Sequence, residues 1–203
     1  MSEIKNIIFD FGGVLIDIDY HRCVQSFQKL GFTDFHRWYS QLKQNHLFDD
    51  LETGRITSQE FRERIRHVSQ LTLSDKTIDE AWNSILIGLP PENIELIKRL
   101  RSKYRLFLLS NTNSIHERAF TAMIEMEYGK NILPDLFERI YYSHRIGMRK
   151  PHPDIFLHVM RENNLLPEET IFIDDSPQHI EGAKKAGLQT IFLEKGKKVT
   201  EIF

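Results

Sequence analysis

The sequence has a single cysteine, no surplus of basic residues and no long apolar run. Because Cys23 has no second cysteine to pair with, an internal disulfide and a cysteine-rich metal site are excluded, which favours a reducing compartment and a packing role. The 27 Lys and Arg residues against 29 Asp and Glu residues give a net charge of -2, too little to attract nucleic acid or anionic lipid. The apolar runs are far shorter than a bilayer span, and the first residues lack a signal-peptide pattern. We therefore expect a cytoplasmic protein without a nucleic-acid or membrane partner, and the oligomeric state stays open.

Short runs rich in Ile, Leu and Phe predict buried β-strands. They lie at residues 4–9, 105–109, 138–142, 170–173 and 189–193. Such strands are apolar throughout, as expected of a parallel sheet that is covered by helices on both faces. Helical periodicity separates the later runs, for example at Ile94, Ile97 and Leu100. The alternation predicts an α/β fold with a parallel sheet.

Nearly a hundred residues separate the first two predicted strands, far more than one crossover helix needs. Only helical patterns are evident in this stretch. The apolar positions are Val24, Phe27 and Leu30; Phe35, Trp38 and Leu42; Phe61, Ile65 and Val68; and Ile78, Ala81 and Ile85. Thr57 followed by Glu60 has the spacing of a capping box, which predicts a helix start. We predict a core of residues 1–19 and 90–203, interrupted by a helical insert of residues 20–89.

The first predicted strand ends at Asp10, which begins the sequence DFGGV. Open α/β sheets bind ligands at the carboxyl edge of their strands, and glycines allow the backbone to approach such a ligand closely. The motif alone is equally compatible with a solvated carboxylate where the chain leaves the strand.

Two further motifs have polar groups suited to phosphate. Ser110 and Asn111 end the second strand before a predicted helix, where a hydroxyl and an amide can hold phosphate oxygens, although a plain turn or N-cap has the same composition. Lys150 precedes a helix that starts at Pro153. Its point charge suits a phosphoryl group or a neighbouring carboxylate, although a lone loop lysine is typical of an exposed cation.

Asp174 and Asp175 follow the strand at residues 170–173. Adjacent carboxylates repel one another unless a cation lies with them, and Mg²⁺ prefers oxygen ligands of this kind. A helix N-cap would account for Asp175 but less well for both residues.

The four motifs follow in one order at strand ends, and together the whole sequence resembles the haloacid dehalogenase (HAD) superfamily of hydrolases. The matching strings are DFGGV from Asp10, LSNT around Ser110, KP at Lys150 and IDD ending at Asp175. The resemblance implies a Rossmann-like core with an inserted α-helical cap over the active site. The strings LETGRI and GMRKPHPDIF are most similar to a subgroup containing sugar-1-phosphate phosphatases and the N-terminal phosphatase domain of soluble epoxide hydrolases.

The resemblance implies a Mg²⁺-dependent phosphatase of a small phosphorylated metabolite, with sugar phosphates as candidates. Asp10 would be the nucleophile that forms an aspartyl-phosphate, and Lys150 would offset the negative charge around it. Ser110, the Asn111 amide and Lys150 would hold the phosphate. The implied Mg²⁺ ligands are Asp10, the backbone carbonyl of Gly12, Asp174 and Asp175.

Gly12 departs from the family pattern, because most phosphatases of this family have a second Asp there that serves as general acid and base. Positioned acid-base groups contribute about 10²–10⁴-fold, so leaving groups that need protonation should react poorly. Asp17, Asp19 and His21 are candidates for a substitute, with solvated loop positions as the alternative.

Two other functions remain open on sequence grounds. A 2-haloacid dehalogenase of this family would have an aromatic residue in place of Gly12 and would not present an acidic pair for metal. A metal-binding regulatory module of the same fold would have lost turnover together with the second Asp. Phe48, Arg55 and Trp82 in the insert are either substrate contacts or packing residues, and the pattern does not separate these roles.

Overall fold

The five apolar runs form one parallel sheet in the computed structural model, which describes residues 3–39 and 46–203. In chain order the strands are β1 (Asn6–Phe9), β2 (Asp17–Ile18), β3 (Leu86–Gly88), β4 (Arg105–Ser110), β5 (Arg139–Tyr142), β6 (Thr170–Asp174) and β7 (Gln189–Phe192). The helices are α1 (Tyr20–Lys29), α2 (His46–Glu52), α3 (Ser58–Ser69), α4 (Asp75–Asn83), α5 (Pro91–Leu100), α6 (Ser114–Tyr128), α7 (Leu133–Leu136), α8 (Ser143–Ile146), α9 (Pro153–Asn163) and α10 (Pro177–Lys185). The sheet order is β5-β4-β1-β6-β7, which confirms the predicted α/β fold.

The central strand β1 pairs in parallel with β4 on one side and β6 on the other. Phe9 lies opposite Leu108 and Ile173 in this register. The carboxyl ends of the three strands therefore lie at the same edge of the sheet. This register brings the polar residues at the ends of β1, β4 and β6 together, as the sequence predicted.

Alternate side chains of β1 enter different hydrophobic clusters. Ile7 and Phe9 pack in the cluster that includes residues of α5 and α6, whereas Ile8 packs in the cluster that includes residues of α9 and α10. Both faces of the sheet are thus covered by helices, which explains why Ile7, Ile8 and Phe9 of β1 are all apolar.

Helices α1 to α4 contribute to a third hydrophobic cluster, which is rich in aromatic side chains. Its fully buried members include Phe27, Phe35, Phe48, Phe61 and Trp82. Cys23 lies in the same cluster, where burial raises the pKa of its thiol. The packing role predicted for Cys23 is therefore confirmed.

The prediction of only helical structure between residues 20 and 89 was wrong at its end. Leu86–Gly88 form the short strand β3, which pairs antiparallel with β2 just before the first helix of the insert. The two strands have two and three residues, too short to produce an alternating pattern. Ile85 lies beyond the end of α4, and Leu42 lies outside the described residues.

Local signals placed several helix ends correctly. The capping box of Thr57 and Glu60 is present at the start of α3, and Pro153 occupies the first turn of α9. Among the described residues, no helix is both long and apolar enough to cross a membrane.

Candidate active site

The carboxyl edge of the sheet brings together Asp10, Lys150 and Asp174. The Lys150 side chain is fully buried, and its Nζ lies 2.6 Å from Asp10 Oδ1 and 2.8 Å from Asp174 Oδ2. Asp10 and Asp174 are themselves 6% and 0% exposed. An unpaired charge is costly to bury, so the lysine and the two carboxylates stabilise each other as ions.

Asn111 positions the backbone of Lys150. Its side-chain Nδ2 donates to the Lys150 carbonyl at 2.8 Å, and its Oδ1 accepts from the Lys150 N–H at 2.9 Å. Both ends of the Asn111 side-chain amide are thereby occupied. Because Nδ2 carries two hydrogens, a hydrogen bond from Asn111 to a phosphate can come from its second side-chain N–H or from its backbone N–H.

Asp10 is anchored through one carboxylate oxygen. Oδ1 accepts from the Phe11 N–H at 2.7 Å and from Lys150, whereas no hydrogen bond within the described part of the chain reaches Oδ2. The side chain also lines the cavity described below. Burial and the charge of Asp174 raise the pKa of Asp10 to about 7, although Lys150 opposes this shift.

In contrast to Asp10, Asp174 has polar partners at both of its carboxylate oxygens. Its Oδ1 accepts from the Ser176 N–H at 2.7 Å, and His179 Nδ1 lies 3.0 Å from Oδ1 and 2.9 Å from Oδ2. Burial alone would raise the pKa of Asp174, but the charges of Lys150 and His179 hold it below its usual value.

Reasoning from the sequence missed His179. It is the third residue of α10, and the first turn of that helix follows directly after the carboxyl end of β6. The spacing of five residues from Asp174, across a strand end and one helical turn, was the available signal.

One group of side chains suits a metal ion. Asp10, Asp174 and His179 each present a ligand atom, and these atoms lie within 4.8 Å of one another. Two buried carboxylates are the hard oxygen donors that Mg²⁺ prefers. The site fits this ion through Asp10 and Asp174.

The other two predicted metal ligands lie beside this group. Gly12 and Asp175 both line the cavity. The Asp175 carboxylate packs against Gly13, whose φ of +78° and lack of Cβ are both required, since a Cβ there would collide with Asp175 Oδ2. A side chain at residue 12 would meet Ile18 Cδ1 at 3.1 Å.

A cavity of about 340 Å³ lies between this edge of the sheet and the insert. The core contributes residues of the predicted motifs, including Asp10, Ser110 and Asn111. The insert contributes a second set that the sequence did not single out: Tyr20, Tyr39, Asp49 and Glu52. Arg149, next to the buried lysine, reaches across to this second set.

The three candidate substrate contacts that the sequence indicated in the insert do not line this cavity. Phe48 and Trp82 are fully buried in the aromatic cluster, and Arg55 is an exposed partner of Asp50. Trp82 additionally stacks on His116 of α6, with ring centroids 4.6 Å apart. All three are therefore packing or surface residues in this structure.

The candidates for a substitute acid do not line the cavity either. Asp17 and His21 are exposed, and the Asp19 side chain caps α1 by accepting from the His21 N–H at 2.8 Å. Asp17 and His21 are therefore solvated positions, and Asp19 is a half-buried helix cap.

A family model described as haloacid dehalogenase-like hydrolase matches residues 4–187. The chain belongs to the haloacid dehalogenase-like hydrolases. The resemblance to this family implied four motifs in a fixed order at one edge of the sheet. The structure has them in that order, at β1, β4, Lys150 and β6.

Relatives of this hydrolase include phosphatases. It is 33% identical over 193 residues to a D-ribitol-5-phosphate phosphatase of Bacteroides thetaiotaomicron, covering 95% of this chain and 93% of that one. It is 25% identical to a phosphorylated carbohydrates phosphatase of Thermotoga maritima, covering 96% and 89% of the two chains. It also superposes on the crystal structure of a HAD family enzyme from Bacteroides thetaiotaomicron, in complex with magnesium and inorganic phosphate. That match has a TM-score of 0.85 and 38% identity, and covers 98% of this chain and 99% of the other.

Proposed function

We propose that this hydrolase is a Mg²⁺-dependent phosphatase of phosphorylated carbohydrates, with sugar and polyol phosphates as its substrate class. The observation that carries the proposal is the state of Asp10, a buried carboxylate with Oδ1 anchored and Oδ2 free of hydrogen bonds among the described residues. An anchored carboxylate with one free oxygen at a cavity wall is suited to nucleophilic attack.

In the first step, Asp10 Oδ2 attacks phosphorus and the bond from phosphorus to the substrate oxygen breaks. This step yields an aspartyl-phosphate and the alcohol, whose oxygen takes a proton from solvent. Water then attacks the aspartyl-phosphate, and inorganic phosphate leaves with Asp10 restored. Ser110 and the Asn111 amide hold phosphate oxygens, while Lys150 favours the charged forms of Asp10 and Asp174 and orients them.

Asp10 and Asp174 would hold Mg²⁺, together with the Gly12 carbonyl and Asp175. When bound, the ion offsets the charge of the phosphoryl group and polarises its oxygens. His179 keeps Asp174 in orientation through its Nδ1 contact. A carboxylate-lined ion site favours the phosphatase over a metal-independent dehalogenase.

In this proposal residues 20–89 are a cap, and residues 1–19 and 90–203 are the catalytic core. The separate hydrophobic cluster of α1 to α4 and the position of the cavity between the two parts support this division. A cap shields the aspartyl-phosphate from side reactions and provides the far wall of the substrate site.

The test is hydrolysis of p-nitrophenyl phosphate, whose leaving group needs no general acid, with and without Mg²⁺. Asp10→Asn preserves the shape and removes the attacking anion, so kcat should fall by at least about a thousandfold. Asp34→Asn is the matched control, since its carboxylate is exposed and is not among the residues that line the cavity.

Near wild-type turnover in Asp10→Asn would refute the covalent mechanism. Release of halide from 2-haloacids without metal would instead identify a dehalogenase. Calorimetric binding of Mg²⁺ without turnover of any phosphate ester would identify a regulatory module.

A further inference from the structure

His179 lies beside the proposed ion site and contacts one of its two carboxylates. Its Nδ1 is 3.0 Å from Asp174 Oδ1 and 2.9 Å from Asp174 Oδ2, and the ligand atoms of Asp10, Asp174 and His179 all lie within 4.8 Å of one another. An octahedral ion with bonds of about 2.1 Å holds neighbouring ligand atoms about 3.0 Å apart. The position of Nδ1 therefore suits a hydrogen bond to Asp174 and equally a place beside Asp174 on one ion.

The other side of the imidazole ring is accessible from the cavity. His179 lines the cavity, and its side chain is 18% exposed. Among the described residues, the polar contacts of the ring are all with Asp174 and all through Nδ1. An ion that replaces the hydrogen on Nδ1 leaves the ring with a hydrogen on Nε2, which solvent in the cavity can accept.

The start of α10 fixes the direction of the ring. The N–H of Ser176 donates to Asp174 Oδ1 at 2.7 Å, so the carboxylate and the first turn of the helix are joined directly. Gly182, three residues after His179, lies so close to the preceding loop that a Cβ there would collide with the Pro151 carbonyl oxygen. This close approach sets the rotation of α10, and with it the placement of His179 beside Asp174.

We propose that His179 is an additional ligand of this site for divalent transition ions such as Co²⁺, whereas Mg²⁺ is held by Asp10 and Asp174 without it. Imidazole suits transition ions, and their affinity for sites with nitrogen and oxygen ligands rises from Mn²⁺ through Co²⁺ to Ni²⁺. Mg²⁺ prefers oxygen ligands and keeps several of its waters, so with that ion His179 retains its contact with Asp174. The inference rests on the proposed function, because it takes the ion site at the two carboxylates from it.

Calorimetry with Co²⁺ and with Mg²⁺, in the absence of phosphate, separates a ligand from a positioning residue. His179→Asn has an amide that still donates to Asp174 but offers no imidazole nitrogen. Its affinity for Co²⁺ should fall at least about tenfold, while its affinity for Mg²⁺ changes by a clearly smaller factor. A residue that only orients Asp174 would weaken the binding of both ions by the same factor. That result, or an unchanged affinity for Co²⁺, would overturn the inference.

His152→Asn is the matched control. The Nδ1 of His152 also faces a carboxylate, at 3.3 Å from Asp154 Oδ2, but both side chains are at the surface, 75% and 69% exposed. This variant should bind one Co²⁺ with wild-type affinity. A loss equal to that of His179→Asn would show that Co²⁺ binds at surface histidines, and would also overturn the inference.

Spectroscopy of the wild-type protein provides a second test that does not depend on the folding of a variant. Electron–nuclear double resonance of one bound equivalent of Co²⁺ should show coupling to a histidine nitrogen, identified by ¹⁵N-histidine labelling. The signal should disappear when excess Mg²⁺ displaces Co²⁺, because both ions use Asp10 and Asp174. Absence of nitrogen coupling, or a coupling that survives excess Mg²⁺, would refute the role of His179 as a ligand.

Both measurements are made without substrate, so they separate this inference from the proposed function. Hydrolysis of p-nitrophenyl phosphate with Mg²⁺, together with Co²⁺ that shows no nitrogen coupling, would refute the ligand role and support the phosphatase. A selective loss of Co²⁺ affinity in His179→Asn, with no hydrolysis of any phosphate ester by the wild type, would refute the phosphatase and support the ligand role.

Discussion

Replacing the buried lysine tests the electrostatic organisation of the site. Lys150→Met keeps a side chain of similar length but removes the cation that contacts both Asp10 and Asp174. Burial alone would lower the pKa of Lys150, but the two carboxylates raise it, so the wild-type side chain is charged. The variant leaves two buried carboxylates without this partner.

The size of the effect follows from these contacts. Breaking a buried ion pair by removing one partner costs about 3–5 kcal/mol. We expect the lower end, about 3 kcal/mol, because His179 still contacts Asp174 and because Asp10, with its raised pKa, readily takes up a proton. For a chain of this length, that destabilisation corresponds to a fall in Tm of about 6–12 °C.

The assay is urea denaturation near neutral pH, in EDTA and again in excess Mg²⁺. Because Mg²⁺ provides an alternative positive charge, the loss should be smaller in Mg²⁺ than in EDTA. Adding Asp10→Asn to Lys150→Met should recover part of the stability, which a double-mutant cycle measures as coupling. Lys184→Met is the control, since that lysine is exposed and should change stability by less than about 0.5 kcal/mol.

A Lys150→Met variant within about 1 kcal/mol of wild type in EDTA would refute this account. The two carboxylates would then not depend on the lysine for their burial, and Lys150 would have only a local role in the loop.

Three further predictions address other parts of the molecule. Gly12→Asp should raise kcat/KM for alkyl phosphates about tenfold relative to aryl phosphates. The variant is combined with Ile18→Val, because a Cβ at residue 12 would lie 3.1 Å from Ile18 Cδ1. An unchanged ratio across a leaving-group series would show that the missing acid does not limit the reaction. Because burial lowers the pKa of His116 to about 4, the unfolded chain binds a proton that the native state excludes, so stability should fall by about 3 kcal/mol between pH 6.5 and 4. Urea denaturation across this range should show that the free energy of unfolding falls less steeply with decreasing pH in His116→Gln than in wild type. Equal pH dependence in the two proteins would contradict the lowered pKa of His116. Cys23 should react with a thiol reagent only on unfolding, because it is buried and its thiol pKa is raised, whereas rapid labelling of the native protein would place it at a mobile surface.

The sequence by itself determined the sheet and the ends of its strands. Apolar runs buried on both faces need no knowledge of partners to be recognised, and parallel strands in register end at one edge. Asp10, Ser110 and Asp174 therefore meet because of their positions in the chain. Local signals such as the capping box at Thr57 also depend only on neighbouring residues.

Only the tertiary structure decided which side chains of the insert face the cavity. Trp82 and Glu52 lie on helices with similar apolar periodicity, yet Trp82 is packed in the aromatic cluster and Glu52 lines the cavity. Periodicity locates the buried stripe of a helix, but the rotation of the helix against its neighbours sets what each buried residue contacts. The contact of His179 with Asp174 and the pairing of Arg149 with α2 likewise join residues whose proximity arises from packing and charge, not from chain order.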